Sequence, residues 1–330
     1  MQDWQQILAA SFRDASALLE YLDIDARHAL PDDHPALTFP VLVPVTLANQ
    51  MQRGDNNDPL LRQVLPIHSE GELPDMPGFS LDPLGEQDTN VCKGIIHKYH
   101  GRVLLLTATT CAINCRYCFR RHFDYKDNRL SRKQRLEALS YIAADNSISE
   151  VILSGGDPLM LSDETIAELV SGIEKISHVR RIRIHSRLPV VIPQRLTQKL
   201  QDILSQSNCQ ASLVLHTNHG NELTPEHKER LLNLRNSGVT LLNQSVLLKG
   251  VNDDLSILTE LSEKLFTMGV LPYYLHLADK VIGAHHFVVS DTEAAALYLQ
   301  VRERLPGYLV PQLVREIPGE PYKQPYPVMA

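Results

Sequence analysis

The feature that most constrains the fold of this chain is a regular alternation of short apolar runs and helical patterns, which begins near residue 100. Each of six apolar runs is followed by a stretch with helical periodicity. The runs cover residues 102–108, 150–158, 181–189, 211–219, 240–248 and 273–279, and the helical stretches cover 131–144, 162–176, 195–206, 224–237, 253–268 and 290–304. Such strand–helix units predict a parallel sheet with right-handed crossovers. Because six units are two short of an eight-fold barrel, we expect an α/β fold built as an open, partial (β/α)6 barrel.

The segments on either side of this repeat differ from it. The chain begins with an amphipathic, acid-studded helical stretch over residues 1–30, and Pro-, Asp- and Gly-rich turn signals follow it. This pattern predicts an N-terminal extension that is helical and irregular rather than rich in strands. We therefore expect three parts: the extension over 1–95, the barrel over 96–305 and a short C-terminal tail over 306–330.

The composition excludes several classes of protein. Hydrophobic residues make up 43% of the 330 residues and the net charge is −7, so bulk electrostatics predict neither a nucleic-acid nor a membrane surface. The N-terminus lacks the basic and apolar regions of a signal peptide, and no apolar run approaches the ~20 residues that span a bilayer. Five cysteines, an odd number with three in one cluster, argue against a disulfide framework and predict a reducing, cytoplasmic location.

Three of those cysteines, Cys111, Cys115 and Cys118, lie within eight residues in a C-x3-C-x2-C pattern. Three thiolates on one short loop suit an iron–sulfur cluster, and a cubane held by three cysteines leaves one iron open to a small ligand. The competing interpretation is a Cys3His zinc site completed by His122, although structural zinc ligands usually come in two separated pairs.

Polar residues follow the apolar runs, where parallel strands of a barrel place their chemistry. They include the sequence Ser154-Gly155-Gly156-Asp157, in which two glycines let the backbone approach a ligand closely. A basic group next to the cysteines is either a solvated face or a cradle for a carboxylate or phosphate. It consists of Arg116, Arg120, Arg121 and His122. Further polar groups are His185-Ser186-Arg187, His216 and His219, Asn243-Gln244, and His276 with Asp279.

The cysteine spacing, with Tyr117 before the third cysteine, resembles the signature of radical SAM enzymes. The phrases SGGDP, HSRLPVVIPQRLT, LLNQSVLLKGVND and PYYLH follow in order, and Lys323 comes after a Gly/Pro turn. Over residues 58–325 the chain resembles the lysine 2,3-aminomutase family. It ends seven residues after Lys323, as expected for the short branch that makes (R)-β-lysine for elongation factor P.

The resemblance implies a radical SAM partial barrel with three cofactors. They are a [4Fe–4S] cluster on Cys111, Cys115 and Cys118, S-adenosylmethionine with its amino group at Ser154–Asp157, and pyridoxal phosphate held by Lys323 as a Schiff base. The tail over 306–330 is then the cofactor-binding tail.

The resemblance also implies roles around the substrate lysine. Arg120 matches the arginine that pairs with the substrate carboxylate, since a planar fork suits that ligand. Asp279 and Glu316 match the two acids that hold its side-chain ammonium, although longer relatives have Asp where Glu316 stands. The residues matched to the surroundings of the cofactors are Tyr99, Arg102, Asn243 and Gln244. The loop PGEPYKQP replaces a polyglycine turn and a threonine, so it is expected to hold the phosphate less completely.

The implied partners are free or protein-bound lysine, elongation factor P with its lysyl-transferring ligase, and an electron donor such as flavodoxin. Two other functions remain open from the residues themselves. One is another radical SAM enzyme, such as a methyltransferase in which Lys323 is structural. The other is a zinc-stabilised interaction scaffold.

Overall fold

The computed structural model describes residues 3–29, 39–72, 74, 76–86, 90–123 and 130–326 of the 330. Its centre is one sheet of ten strands whose spatial order follows the chain order. The strands are β1 (Asn90–Cys92), β2 (Ile95–Tyr99), β3 (Arg102–Ala108), β4 (Glu150–Gly155), β5 (Arg181–Ser186), β6 (Gln210–Leu215), β7 (Thr240–Leu247), β8 (Leu271–Leu277), β9 (Gln312–Arg315) and β10 (Gln324–Pro325).

Strands β3 to β9 are parallel, and the first six of them are the predicted apolar runs. The sheet is open, because β1 and β10 form its two edges among the described residues. The predicted partial barrel is thus confirmed, and β9 adds a seventh parallel strand from the tail. Strands β1, β2 and β10 pair antiparallel to their neighbours.

Eleven α-helices accompany the sheet in the described part of the chain. They are α1 (Asp3–Ala9), α2 (Ala15–Tyr21), α3 (Val45–Ala48), α4 (Pro59–Arg62), α5 (Arg132–Ala144), α6 (Asp163–Glu174), α7 (Leu188–Val191), α8 (Gln198–Ser205), α9 (Pro225–Asn236), α10 (Leu255–Thr267) and α11 (Asp291–Arg304). The six predicted crossover helices correspond to α5, α6, α8, α9, α10 and α11. Ser131 and Ser290 begin α5 and α11 with reciprocal side-chain caps, which satisfy backbone N–H groups that lack helical partners.

The N-terminal helical stretch consists of two short helices, α1 and α2, rather than one continuous helix. The chain leaves α1 to form a β-bridge between Phe12 and Val43, and Asp14 then caps α2 by accepting from the Ala17 N–H at 2.7 Å. The break follows from Asp14, since aspartate favours a cap over a helix interior. The turn-rich sequence at 30–38 lies outside the described residues.

The cysteine loop directly follows the first of the predicted strands, which is β3, and two strands that the sequence did not reveal, β1 and β2, come before it. Tyr99 ends β2 and Arg102 begins β3, and Gly101 between them has a φ of 75°. Only glycine adopts that left-handed conformation without a steric penalty. These two strands are short and their turn residues are not typical of hairpins, so the pattern of apolar runs did not reveal them.

The parallel strands set the position of the site. Because β3 to β9 are parallel, the residues that follow each of them lie at one edge of the sheet, the carboxyl edge. Every polar group of the strand-end pattern lies at or near this edge except Asn243-Gln244, which lies in the middle of β7. The described part of the chain holds no helix with the length and apolar character needed to cross a membrane.

Candidate active site at the carboxyl edge of the sheet

The cysteine loop leaves β3 and is held by the N-terminal extension. The Asn114 N–H donates to the Leu42 carbonyl at 3.0 Å, and the Arg116 N–H donates to the Gln63 carbonyl at 2.8 Å. Within the loop, the Cys118 N–H donates to the Cys115 carbonyl at 3.0 Å. These bonds fix the loop backbone through residues that are distant in sequence.

The three thiols of this loop are free and only partly buried. Burial raises the pKa of Cys111 well above its usual range, with Asp157, Cys118 and Cys115 adding to the effect. Burial and Cys115 raise the pKa of Cys118 to about 12. Thiols that repel one another as thiolates need a compensating cation, which a metal cluster supplies by holding them deprotonated. The donor set therefore fits a cluster bound through three cysteines.

The geometry gives no support to the zinc interpretation. The Nε2 atom of His122 lies 3.0 Å from the Ile282 carbonyl oxygen, in the segment after β8. Across the described residues, no group of three His, Cys, Asp or Glu side chains is arranged to hold a single metal ion.

The basic group beside the cysteines is neither a solvated face nor an open cradle. Arg116, Arg120 and Arg121 are at most 9% exposed. Glu70, which the sequence did not single out, accepts hydrogen bonds from the Nε atom of Arg116 at 2.9 Å and the Nη2 atom of Arg121 at 2.8 Å. Buried charges require such partners, so these two arginines fix the loop rather than bind a ligand.

The two glycines after β4 bring the backbone against the cysteine loop. The Gly156 N–H donates to the Ala108 carbonyl at 2.8 Å. A Cβ atom on Gly155 would lie 2.3 Å from the Ala108 carbonyl oxygen, and one on Gly156 would lie 2.4 Å from the Thr110 carbonyl oxygen. No side chain fits at either position, which explains why this turn needs two glycines.

Asp157 is enclosed by the turn that follows β5. Its carboxylate accepts hydrogen bonds from the Ser186 hydroxyl at 2.7 Å and from the backbone N–H groups of Leu159, Arg187 and Leu188 at 2.8–3.0 Å. Burial raises its pKa, and these donors oppose that rise. Asp157 thus joins the ends of β4 and β5 near Cys111.

Arg120 faces the inside of the site and has a carboxylate partner that the sequence did not reveal. Its Nε and Nη2 atoms donate to Glu86 at 2.6 and 2.7 Å, in a bidentate pair. Its Nη1 atom lies 3.3 Å from both the Ser154 hydroxyl and the Gly155 carbonyl. Arg120 thus links the cysteine loop to the turn after β4.

Lys323 is brought to the same edge by the pairing of β10 with β9, in which Gln324 opposes Arg315. Its Nζ atom donates to the Glu316 carboxylate, which also accepts from Lys98 at 3.2 Å. Burial alone would raise the pKa of Glu316, but Lys323 and Lys98 lower it to about 2. The acid and the lysine therefore form an ion pair at neutral pH.

Asp279 is a second acid near Glu316. Burial, followed by the charge of Glu316, raises its pKa to about 7, while Lys323 opposes the rise. Tyr99 lies beside Glu316, and burial and then this acid raise the pKa of Tyr99. The Arg102 guanidinium stacks on Tyr99, 4.7 Å from the ring centroid.

Three histidines line the interior beneath these groups, and the sequence indicated them only as strand-end polar residues. His185 lies in β5, His276 lies in β8, and His216 directly follows β6. Burial lowers the pKa of His185, His216 (to about 3) and His276, and Lys323 contributes to the lowering in all three. They are therefore neutral at pH 7. The Nε2 atoms of His185 and His276 are buried without a hydrogen-bond partner in the described structure, which leaves polar atoms for a ligand.

The two residues in the middle of β7 have unequal positions. Asn243 is buried and bonds with its side chain to the backbone of Thr217 and to Ser245, which is a structural arrangement. Gln244 places its Nε2 atom 2.9 Å from the Nε2 atom of His216, so only Gln244 faces the histidine-lined interior.

Comparisons with known proteins agree with this arrangement. The profile of the radical SAM superfamily matches residues 105–258, which contain the cysteine loop and the Gly-Gly turn. The fold and site are thus those of a radical SAM enzyme.

Similarity over almost the whole chain defines the family more closely. The L-lysine 2,3-aminomutase of Escherichia coli (strain K12) is 48% identical over 98% of this chain and 94% of that protein. The enzyme of the same name from Haemophilus influenzae is 46% identical over 98% of this chain and 96% of that protein. That of Buchnera aphidicola subsp. Baizongia pistaciae is 42% identical over 97% of this chain and 94% of that protein.

The chain belongs to the L-lysine 2,3-aminomutase family, and the enzyme is an isomerase. Membership implies the [4Fe–4S] cluster and S-adenosylmethionine of radical SAM enzymes, together with the pyridoxal phosphate of the aminomutases. The resemblance recognised from the motifs is confirmed.

Proposed function

We propose that this enzyme converts L-α-lysine to β-lysine and that Lys323 is the residue that holds pyridoxal phosphate. The observation that carries the proposal is the position of Lys323. A lysine in a Pro-rich tail is ordinarily a surface charge, but this one is 23% exposed in its side chain and pairs with Glu316. Its charge also contributes to the lowered pKa of the interior histidines His185, His216 and His276. A tail lysine held over the interior of a barrel suits a cofactor anchor.

The proposed site for the cluster and S-adenosylmethionine is the space between the cysteine loop and the turn after β4. Cys111, Cys115 and Cys118 would ligate the cluster. The backbone of Ser154–Gly156 would receive the amino group of S-adenosylmethionine, and Asp157 would keep that turn in place. When bound, these groups supply radical generation and covalent holding of the migrating amino group.

The proposed substrate contacts are a guanidinium at one end and two acids at the other. Arg120 would bind the carboxylate of lysine, with Glu86 orienting its planar fork. Asp279 and Glu316 would bind the side-chain ammonium. Two acids buried together are costly without a cation, so a cationic side chain is the substrate feature they favour.

The residues proposed around pyridoxal phosphate are Tyr99 and Arg102 at the β2–β3 turn and Gln244 in β7, with Asn243 supporting that strand from within. We also propose that the chain works as three parts. The extension over 1–95 would hold the cysteine loop, the barrel over 96–305 would carry the cluster, and the tail over 306–330 would deliver Lys323.

The biological setting proposed here is that of the elongation factor P branch. The product would be (R)-β-lysine, made in the cytoplasm and passed to the ligase that attaches it to elongation factor P. A flavodoxin-like protein would supply the electron. The high identity to short relatives over nearly their whole length supports this choice.

One set of measurements tests the proposal. The protein would be purified without oxygen, and its iron, acid-labile sulfide, zinc and pyridoxal phosphate would be measured. It would then be incubated with L-lysine, S-adenosylmethionine and a reductant, and the product resolved by chiral chromatography. Iron, pyridoxal phosphate and (R)-β-lysine are expected. Iron without pyridoxal phosphate would favour another radical SAM reaction, such as methyl transfer, and zinc alone would favour a structural scaffold.

A further inference from the structure

Arg187 follows β5 and is a buried cation that the proposed function does not use. It is 5% exposed. Its Nη2 atom donates to Gln63 at 2.8 Å and to Glu222 at 3.0 Å. Its Nε and Nη1 atoms are buried and have no hydrogen-bond partner in the described structure. Since buried N–H groups are nearly always paired, two donors are available for a further acceptor.

Gln63 and Glu222, which hold Arg187, are themselves held by hydrogen bonds. One oxygen of Glu222 accepts from the backbone N–H groups of Asn218 and His219 at 2.8 and 2.9 Å, while the other accepts from Arg187. The Asn218 side chain also donates to the Gln63 side chain at 3.0 Å. The guanidinium is therefore fixed by residues from two separate parts of the chain.

Gln63 also contacts the cysteine loop. The Gln63 carbonyl accepts the N–H of Arg116, the residue after Cys115, at 2.8 Å. The Arg187 guanidinium carbon lies 5.4 Å from the ring centroid of Tyr117, which precedes Cys118. Burial lowers the pKa of Arg187, but Cys115 and then Glu222 raise it above its ordinary value. The guanidinium therefore lies beside the cysteine loop, against Tyr117.

We propose that Arg187 is a positioning residue for the cluster: its fixed charge and free N–H groups lie beside the cysteine loop and make the cluster easier to reduce. The inference rests on the proposed cluster ligation by Cys115. Hydrogen bonds to cysteine sulfur and nearby charge are known determinants of cluster potential. Reduction adds one electron to the cluster and moves no proton, and Arg187 stays charged throughout. A fixed cation stabilises the additional negative charge of the reduced state.

The test is a redox titration of the reconstituted protein without S-adenosylmethionine, in which electron paramagnetic resonance monitors the reduced cluster. Arg187→Met should bind iron and sulfide as the unaltered protein does. Its reduction equilibrium constant should fall about tenfold, which is about 59 mV for a one-electron couple. Arg187→Lys keeps the charge and loses the fork, so it should shift the potential less and in the same direction. Glu222→Gln removes the opposing charge and should shift the potential the other way.

Arg195→Lys is the matched control, because Arg195 is also a buried arginine that is paired with a carboxylate, Asp163, at 2.7 Å. It should leave the potential unchanged. If Arg187→Met does not fold, Arg187→Lys and the opposite shift of Glu222→Gln carry the test.

Two results would overturn the inference. One is an unchanged potential in iron-replete Arg187 variants. The other is a loss of S-adenosylmethionine affinity with no change in potential, which would make Arg187 a ligand for that molecule instead. The failure of the underlying assignment would differ from both, since a Cys115→Ala protein would then hold as much iron as the unaltered one.

Discussion

Lys323 and Glu316 form an ion pair across the turn that connects β9 to β10, at the carboxyl edge of the sheet. The charge of this tail lysine opposes the rise in the pKa of Asp279 and contributes to the lowered pKa of three interior histidines. The ion pair is the reason for assigning the cofactor lysine to a segment that would otherwise be surface.

Replacing Lys323 should remove pyridoxal phosphate without removing the iron–sulfur cluster. Lys323→Ala should lose bound pyridoxal phosphate and all turnover while it keeps its iron, because the cysteine loop is held by other residues. Visible absorbance, borohydride fixation and iron content measure this. Lys199→Ala is the control, since Lys199 pairs with Glu164 on the exposed surface. Fixation of pyridoxal phosphate on a different lysine in Lys323→Ala would show the assignment to be wrong.

The cysteine loop offers a direct comparison of thiols. Cys115→Ala should lose the cluster and turnover, because a cubane needs its thiolate ligands. Cys209→Ala should keep both, since Cys209 is 5% exposed and belongs to the apolar core. Iron and sulfide analysis after anaerobic reconstitution distinguishes them. Full activity in reconstituted Cys115→Ala would contradict radical chemistry at this loop.

The turn after β4 should tolerate no side chain. In Gly156→Ala the new Cβ would meet the carbonyl oxygen of Thr110 at 2.4 Å and its nitrogen at 2.8 Å. The backbone next to Cys111 must then move, so we expect reduced cluster retention and weaker binding of S-adenosylmethionine. Gly307→Ala is the control, because no atom lies within 4 Å of a Cβ at that position. Equal iron content and affinity in the two variants would argue against a tight turn.

Asp279→Asn should weaken lysine binding and leave cofactor loading nearly unchanged. Loss of one partner in a buried charge cluster costs roughly 3–5 kcal/mol, which is on the order of a hundred- to several-thousand-fold in affinity. Steady-state kinetics and calorimetry with lysine measure this effect. Wild-type turnover in the variant, or a preference of the unaltered enzyme for norleucine, would defeat the assignment.

The same residue predicts a pH dependence. The pKa of Asp279 is raised to about 7 by burial and Glu316, so below that pH it is mostly neutral and cannot pair with an ammonium. Affinity for lysine should therefore rise from pH 6 to pH 8, and binding at pH 6 should release a proton. Calorimetry in buffers of different ionisation enthalpy measures the proton, and Asp279→Asn should show neither effect.

The effect of Asp279 on the free energy of unfolding changes with pH in the opposite direction to that of an ordinary salt-bridged acid. Because the folded pKa of Asp279 lies above its unfolded value, ionisation in the folded state costs stability as the pH rises from about 4 to about 7. Asp279→Asn should then be more stable than the unaltered enzyme at pH 8, by at most roughly 4 kcal/mol, because burial raises the pKa of Asp279 from its ordinary value to about 7. Chemical denaturation at pH 5 and pH 8 would reveal the difference, and equal stability at both would contradict the raised pKa.

The sequence by itself determined the repeating part of the fold and the place of its chemistry. Strand and helix periods are local, so the six strands from β3 to β8 and their crossover helices could be located from apolar spacing alone. The cysteines and the Gly-Gly turn were visible for the same reason, since each acts within a few neighbouring residues. The short strands β1, β2 and β9 carried too few residues for a clear period.

Only the tertiary structure decided which charges are partners. Glu86 pairs with Arg120 across 34 residues of sequence, Glu70 with Arg116 across 46, and Glu222 with Arg187 across 35. Each of these charged side chains is of a type that usually lies on the surface, so the sequence does not show that it is buried. Once packing removes its water, burial is costly unless an opposite charge lies beside it. Long-range packing also places Lys323 and the three histidines around one space. The period of a strand carries no information about which distant loop will cover its end.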